Sequence, residues 1–187
     1  MFMLYLIHGS VADQKTDAIV NAANRALAGG GGVDGAIHAL AGPELDRACR
    51  KIGFCPTGQA VVTPSFNLEA RTGCRFIVHT VGPIYARETP QRAREQLASC
   101  YRTSCEEARH AGARTISFCS ISTGVYGYPL EEALPLALEI LLAEAPSFDE
   151  IRFCLFKDAE FCQGKALAEQ LFVCKDAPEG IAVEKLR

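Results

Sequence analysis

The sequence predicts an α/β protein: a three-layer α/β/α sandwich around a mixed, mainly parallel central sheet of about six strands. Short apolar runs alternate along the chain with stretches of helical periodicity, which is typical of a sheet covered by helices on both faces. Two glycine-containing polar loops follow predicted strands, where ligands of such sheets bind. A chain of 187 residues, 49% of them hydrophobic, is long enough to bury the core of one such domain.

The predicted strands are six short runs, several of them apolar on consecutive positions as expected for buried strands. They cover residues 2–7, 18–21, 59–64, 75–81, 115–121 and 151–156. Five helices are predicted from apolar residues that recur every three or four positions, and Pro90 and Asp158 favour a first helical turn. The helices cover residues 33–40, 44–51, 90–111, 130–145 and 158–172.

The end of the chain differs in composition from the rest. Residues 1–173 are expected to form a single domain, whereas residues 174–187 are charged and contain proline and glycine. We therefore expect this C-terminal tail to be mobile or loosely docked.

The stretch that says most about function is a strand that runs into a glycine loop. Four consecutive glycines, residues 29–32, precede a helix that begins near Val33. Glycine permits positive φ and close approach of backbone N–H groups to a ligand, and a helix N-terminus favours anions. Asn21, Asn24 and Asp34 flank the loop with amide and carboxylate groups that suit sugar hydroxyls. The combination predicts a site for a nucleotide sugar.

A second loop, residues 120–129, has the same character. Its small residues and two glycines let successive N–H groups converge on an anion, and the hydroxyls of Ser122 and Thr123 are expected to add donors. Tyr126 offers an apolar wall for a ribose. Each loop alone is equally consistent with a tight turn, but two such loops at adjacent strand ends fit a diphosphate.

Charge and hydropathy limit the partners that this chain can have. A net charge of −3 gives no general affinity for nucleic acid, so any anion must be held by local geometry. No apolar run approaches the roughly 18–20 residues of a membrane span, and we expect a cytoplasmic protein that does not bind membranes. The nine cysteines are odd in number and lie among apolar neighbours, which favours reduced core thiols over disulfides.

Histidines and cysteines give no metal signature, and neither a metal nor a cofactor is predicted. His79 lies in an apolar predicted strand and is interpreted as structural. His38 follows Asp34 by four residues on a helix and could touch the site, although a structural role is favoured. The cysteines lack the paired spacing of zinc sites.

Five motifs resemble those of macrodomains of the MacroD-like branch. They read DAIVNAAN at 17–24, GGGGVDGAIH at 29–38, CPTGQA at 55–60, HTVGP at 79–83 and ISTGVYGYP at 121–129. The resemblance implies a three-layer α/β/α fold that binds ADP-ribose. It also implies an enzyme that removes acetyl from O-acetyl-ADP-ribose or ADP-ribose from acidic side chains. The implied partners are ADP-ribose, its esters and ADP-ribosylated proteins.

The resemblance also assigns roles to individual residues. Asn24 and Asp34 would act on the distal ribose as the catalytic pair, Phe156 would pack near the adenine, and Asn21 would mainly order its loop. The residues implied to hold the diphosphate are Gly30, Gly31, Gly32 and Val33 in the first loop and Ser122, Thr123, Gly124, Val125 and Tyr126 in the second.

One position departs from the family pattern. Where the family has an aspartate that accepts from the adenine amino group, this chain has Ser10, followed by Val11. We expect Ser10 and Val11 to line the base end of the site. A weaker acceptor at Ser10, or Asp13 reaching inward, would replace the missing carboxylate.

Three classes of function remain open from the sequence. The first is a metal-independent hydrolase of ADP-ribosyl esters, which Asn24 and Asp34 together favour; the second is a non-catalytic ADP-ribose reader. The third is a Rossmann-like oxidoreductase, suggested by the spacing of Gly30, Gly32 and Gly35. It is disfavoured because these glycines come about eight residues after the strand. The sequence does not separate a small-molecule ester from an ADP-ribosylated protein as substrate.

Overall fold

The fold is an eight-stranded mixed sheet with helices on both faces, which confirms the predicted three-layer α/β/α class. The computed structural model describes residues 3–186, so Phe2 of the predicted first strand lies outside the described part. Its strands are β1 (Met3–His8), β2 (Ala18–Ala22), β3 (Ala60–Pro64), β4 (Phe76–Thr80), β5 (Thr115–Cys119), β6 (Glu150–Leu155), β7 (Val173–Ala177) and β8 (Gly180–Glu184).

Six α-helices connect these strands. They are α1 (Gly32–Ala41), α2 (Pro43–Ile52), α3 (Asn67–Thr72), α4 (Pro90–His110), α5 (Leu130–Glu144) and α6 (Asp158–Leu171). Short 3-10 helices occur at Val11–Asp13, Tyr85–Arg87 and Ala145–Ser147. Helix α1 contacts α2 and α3, whereas α5 contacts α4 and α6, so the helices form two groups on opposite faces of the sheet. No helix in residues 3–186 combines the length and the apolar character needed to cross a membrane.

The strand order explains where a ligand can bind. It is β3-β4-β2-β5-β6-β1-β8-β7, with parallel pairing from β4 through β1 and antiparallel pairing at both ends. The carboxyl ends of β2, β5, β6 and β1 therefore meet at one edge of the sheet. The loops that follow β2 and β5 are the two loops predicted from the sequence.

The core is formed by apolar side chains on both faces of the central strands. Tyr101 of α4 lies fully buried against Phe118 of β5 and Phe153 of β6, with ring centroids 5.5 and 6.2 Å apart. Seven of the nine cysteines are buried and all nine are unbridged thiols, as predicted. Burial raises the pKa of Cys74 and Cys100 to about 11, so these thiols stay protonated at neutral pH.

Two parts of the fold differ from the sequence prediction. The sheet has eight strands rather than about six, because the residues from position 174, expected to be mobile or loosely docked, pair instead in the hairpin β7–β8. Strand β8 also pairs with β1, and its side chains Ile181 and Val183 are buried. The hairpin therefore extends the single sheet beyond residue 173. The six-residue helix α3 has too short an apolar pattern to be predicted.

Asp17, just before β2, connects the starts of two neighbouring strands. Its Oδ2 accepts hydrogen bonds from the backbone N–H groups of Arg114 at 2.8 Å and Thr115 at 3.1 Å. Burial opposes ionisation, but these two donors and the nearby Arg75 guanidinium outweigh it and lower the pKa of Asp17. The folded state therefore prefers the ionised carboxylate.

Asp17→Asn should lower the free energy of unfolding at neutral pH by about 1 kcal/mol, the scale of a partly exposed charge-assisted hydrogen bond, and Tm by roughly 2–4 °C. Since the pKa of Asp17 is lower in the folded state, this stabilisation exists above the unfolded pKa near 4 and disappears as pH falls through the folded pKa. Thermal unfolding measured from neutral pH to about pH 3 should show the two proteins converge at acid pH. Asp176→Asn, at an exposed position of β7, serves as the control. A difference that stays constant down to pH 3 would contradict this role.

Candidate functional site

A cavity of about 600 Å³ opens at the carboxyl ends of the central strands. It runs from the loop after β2, across the loop after β5, to the ends of β6 and β1. The structure brings fourteen of the fifteen predicted site residues to its walls, the exception being Asn21. These fourteen are Ser10, Val11, Asn24, Gly30, Gly31, Gly32, Val33, Asp34, Ser122, Thr123, Gly124, Val125, Tyr126 and Phe156.

The glycine loop delivers backbone N–H groups to the cavity. Helix α1 begins after Gly31, which makes no side-chain cap, so the first-turn N–H groups of α1 are left free for a ligand. Gly32 has a φ of +58°, a conformation that glycine adopts readily. Gly35 is required for a different reason, because a Cβ there would lie 2.3 Å from the carbonyl oxygen of Gly30. The loop is therefore folded tightly onto the first turn of α1.

Asp34 is the buried carboxylate of this site. It lies in the first turn of α1, only 6% exposed, and its Oδ1 accepts a hydrogen bond of 2.7 Å from Nδ2 of Asn21. The same oxygen lies 3.3 Å from Nε2 of His38 one turn later. The other oxygen, Oδ2, faces Gly30. Asp34 thus has one oxygen held by the protein and one directed at the glycine loop.

Asn21 lies beneath the cavity floor rather than in its wall. It is fully buried on β2, and in addition to Asp34 its Nδ2 contacts Nδ1 of His79 at 3.1 Å. The side-chain oxygen of Asn21, Oδ1, has no hydrogen-bond partner among residues 3–186. The orientation of this amide is therefore set by two acceptors that both need its N–H groups. We expected Asn21 mainly to order its loop. In the structure it instead positions the Asp34 carboxylate.

Asn24 orders the loop more than Asn21 does. Its Nδ2 donates to the carbonyl oxygen of Gly29 at 2.9 Å, and its Oδ1 accepts from the N–H of Ala28 at 3.1 Å. Asn24 still lines the cavity, and its side chain lies near that of Asp34. Both approach Gly30: a Cβ atom added to that glycine would lie 3.4 Å from Asp34 Oδ2 and 3.9 Å from Asn24 Nδ2. One N–H of the Asn24 amide remains available for a ligand.

The two histidines extend the hydrogen-bonded network away from the cavity. His38 Nδ1 lies 2.6 Å from Asp46 Oδ1, and His79 Nε2 lies 2.9 Å from Thr63 Oγ1. His38 therefore contacts the site through Asp34. From the sequence, a purely structural role for His38 was favoured over such a contact. His38, Cys49 and His79 each place a metal-ligating atom within 4.8 Å of the others, but the four imidazole nitrogens already have polar partners. Burial also raises the pKa of Cys49 to about 11, with Asp34 and Asp46 adding to the effect.

The hydroxyls of the second loop bind within the protein. Ser122 Oγ donates to the carbonyl oxygen of Pro83 at 2.8 Å, and Thr123 Oγ1 donates to Ser120. Both hydroxyl protons are therefore shared with acceptors of the protein, whereas the sequence led us to expect that they would donate to a ligand. Ser122 has a φ of +65°, and Val125 at the tip is fully exposed. This tight loop directs main-chain groups, together with Tyr126, towards the cavity.

At the far end of the cavity, Ser10 caps a 3-10 turn. Its Oγ accepts from the N–H of Ala12 at 3.2 Å, while Asp13 pairs with Arg71 at 2.8 Å on the surface. Asp13 therefore does not replace the missing base acceptor. The carboxylate that does line this end is Glu160, in the first turn of α6 and near Phe156, which is 71% exposed. Sequence reasoning missed Glu160, although a first-turn carboxylate that follows a strand end is a recognisable signal.

Two cysteines, Cys119 and Cys154, also line the cavity. Burial raises the pKa of Cys119 to about 12, and it raises the pKa of Cys154 as well. Burial therefore favours the protonated thiol at both positions at neutral pH. The charged side chains that line the cavity are Asp34, Glu160 and Lys157, and the amide of Asn24 and the backbone of two loops add further polar groups.

The fold and the cavity together define an α/β domain in which two glycine-containing loops line one cavity at a sheet edge. Comparison with known proteins gives the family: the model for the Macro domain matches residues 20–137. A Macro domain-containing protein of Chlorobaculum tepidum is 45% identical over 170 residues, covering 89% of this chain and 96% of that protein. The chain belongs to the macro domain family.

The chain is also similar to an ADP-ribose glycohydrolase and to macrodomains solved with bound nucleotides. ADP-ribose glycohydrolase MACROD2 of Xenopus laevis is 44% identical over 157 residues, which are 82% of this chain but 37% of that longer protein. The Oceanobacillus iheyensis macrodomain with ADP has a TM-score of 0.82 at 40% identity and covers 90% of each chain. The Trypanosoma brucei macrodomain in complex with ADP-ribose has a TM-score of 0.76 at 40% identity, covering 88% of this chain and 68% of that chain.

The network predicts that His79 stays neutral. Burial, together with the nearby His38, lowers the pKa of His79 to about 3. Because the Asn21 amide nitrogen only donates, Nδ1 of His79 accepts and Nε2 carries the proton given to Thr63. Nitrogen-15 NMR from about pH 4 to about pH 8 should show His79 as an unchanging Nε2–H tautomer. Protonation of His79 with a midpoint between pH 5 and pH 7 would contradict the network.

Proposed function

We propose that this protein binds ADP-ribose in the cavity and hydrolyses esters at its distal ribose. The observation that carries the proposal is the buried Asp34 carboxylate, with one oxygen held by Asn21 and the other facing the glycine loop beside the Asn24 amide. The loop N–H groups suit a diphosphate, and the carboxylate and amide next to them suit the hydroxyls of a ribose joined to that diphosphate. The similarity to an ADP-ribose glycohydrolase and to macrodomains solved with ADP and ADP-ribose supports the choice of ligand.

The diphosphate is proposed to lie between the two loops. Free N–H groups at the start of α1 and along the loop after β5 would donate to its oxygens, and the dipole of α1 would add to the attraction. The distal ribose then lies at the β2 end, near Asn24 and Asp34. The adenine lies at the opposite end, near Phe156 and Glu160.

Hydrolysis would use positioning more than strong base catalysis. Asp34 Oδ2 and the free N–H of Asn24 would orient the ribose and a water molecule, and an oxygen of the substrate phosphate would share acceptance of the water proton. Loop N–H groups would stabilise the negative charge that develops in the transition state. Water adds across the ester, so the products are a free acid and a ribose hydroxyl. The two substrates considered are O-acetyl-ADP-ribose and a protein whose acidic side chain carries ADP-ribose.

A non-catalytic reader remains the second candidate because of one observation. Both polar atoms of the Asn24 side chain already bind the loop backbone, at Gly29 and Ala28, which is a structural use of the residue. A reader would bind ADP-ribose by the same loops and turn over neither substrate.

Asp34→Asn and Asn24→Ala should each lower turnover by roughly a hundredfold or more, while affecting ADP-ribose affinity less. Asp34→Asn keeps an acceptor for Asn21, so the fold should persist. The assay incubates wild type and variants with O-acetyl-ADP-ribose and with a mono-ADP-ribosylated acidic protein, following the released product in each. Asp176→Asn is the control for loss of a distant carboxylate. Full activity in a folded Asp34→Asn variant would refute the catalytic role of Asp34. If wild type binds ADP-ribose but turns over neither substrate, the protein is a non-catalytic reader.

Glu160 is proposed to accept a hydrogen bond from the adenine amino group in place of the family aspartate. Glu160→Gln should weaken ADP-ribose binding about fivefold, since the charged acceptor becomes neutral. The inosine analogue lacks the amino group and should bind wild type and Glu160→Gln alike. Isothermal titration calorimetry with both ligands measures the difference, and Glu169→Gln on the exposed face of α6 is the control. Equal losses for the two ligands would refute base recognition by Glu160.

A further inference from the structure

An exposed surface lies where α2 ends, and it includes Arg25, the residue that follows the cavity-lining Asn24. We call it the α2 patch. It combines four cationic and two apolar exposed side chains, which are Arg25, Arg47, Arg50, Lys51, Ile52 and Phe54. Ile52 is 39% exposed and Phe54 is 51% exposed, although both are large hydrophobic residues. A cluster of exposed apolar and cationic residues is a candidate binding surface.

The α2 patch is joined to the cavity through Arg25. Its guanidinium lies over the Phe54 ring at 5.3 Å from the ring centroid, and its carbonyl oxygen accepts a hydrogen bond of 2.9 Å from the N–H of Cys55. Arg25 directly follows Asn24, which lines the cavity near Asp34. A chain attached at the Asn24 end of the cavity would therefore emerge onto this surface.

The cations of the α2 patch outnumber the acidic residues of helix α2, which are Glu44 and the His38-paired Asp46. None of its four cations forms a salt bridge with a carboxylate among residues 3–186, whereas Arg71, Arg109 and Arg114 each pair with an acidic side chain. The whole chain carries a net charge of −3, so the positive charge of the patch is a local property. Uncompensated cations around an apolar centre favour an acidic peptide segment.

We propose that the α2 patch binds the acidic peptide segment that surrounds an ADP-ribosylated Asp or Glu side chain. The inference rests on the proposed function, because the distal ribose must lie at the Asn24 end of the cavity. Ile52 and Phe54 contact apolar side chains of the segment, and the cations contact its carboxylates. The patch therefore favours a modified protein over the small ester O-acetyl-ADP-ribose.

The geometry favours a peptide over a nucleic acid. Single-stranded nucleic acids bind by stacking bases on exposed aromatic faces. One face of Phe54 is already covered by the Arg25 guanidinium, and the other apolar residue of the patch, Ile52, is aliphatic. The surface thus offers apolar packing and charge with little free aromatic area.

The test compares free ADP-ribose with the same group joined to an acidic peptide through a hydrolysis-resistant linkage, using calorimetry. Wild type should bind the conjugate about tenfold more tightly than ADP-ribose, as expected for several exposed ion pairs and some apolar contact, and salt should reduce this advantage. Arg25→Glu should abolish the advantage and leave ADP-ribose affinity unchanged within twofold. Arg50→Glu combined with Lys51→Glu should do the same without altering the loop that contains Asn24.

Arg94→Glu is the matched control, since Arg94 is an exposed and unpaired cation within residues 3–186 on α4. Equal affinity of wild type for the conjugate and for ADP-ribose would overturn the proposal, as would an equal loss of the advantage in Arg94→Glu. A single-stranded oligonucleotide whose binding depends on Arg25, with the conjugate unaffected by Arg25→Glu, would also overturn it. Failure of wild type to bind ADP-ribose itself would instead refute the proposed function, and the inference with it.

Discussion

The site depends on one buried hydrogen bond, between Asn21 Nδ2 and Asp34 Oδ1. A carboxylate that is only 6% exposed is costly unless polar partners satisfy it, and Asn21 and His38 supply them. The bond joins β2 to the first turn of α1, with the glycine loop between them. Because His79 and Thr63 hold the far side of Asn21, the direction of the free Asp34 oxygen is determined by residues that never reach the cavity.

Most of the fold was predictable because its signals are local. The six predicted strands and five predicted helices are all present, since each has its own apolar pattern and several have distinct end residues such as Pro90. The hairpin β7–β8 was missed because charged residues and a proline obscured an alternating pattern, in which Ile181 and Val183 face the core. Its stability depends on pairing with β1, a contact between opposite ends of the chain that no local pattern reports.

The site was predictable in composition but less so in the role of each residue. Asn21 and Asn24 are the same residue type three positions apart, so the sequence does not distinguish their roles. The roles differ because of where strand β2 ends and which residue Asn21 faces in the register of the sheet. In that register Asn21 faces His79 on β4, which directs it beneath the cavity, whereas Asn24 lies in the loop and binds it. The hydroxyls of Ser122 and Thr123 were expected to face a ligand, but nearby backbone carbonyls that only the folded loop provides accept their protons.

The decisive experiment is a crystal structure of the protein with ADP-ribose. We expect the distal ribose within hydrogen-bond distance of Asp34 Oδ2 and the Asn24 amide, and the diphosphate between the N–H groups of the two loops. Asp34 Oδ1 should remain bonded to Asn21, because that bond exists before the ligand arrives. A ligand bound in the opposite direction, with adenine at the Asn24 end, would refute the proposed binding mode, as would an Asp34 carboxylate turned away from Asn21.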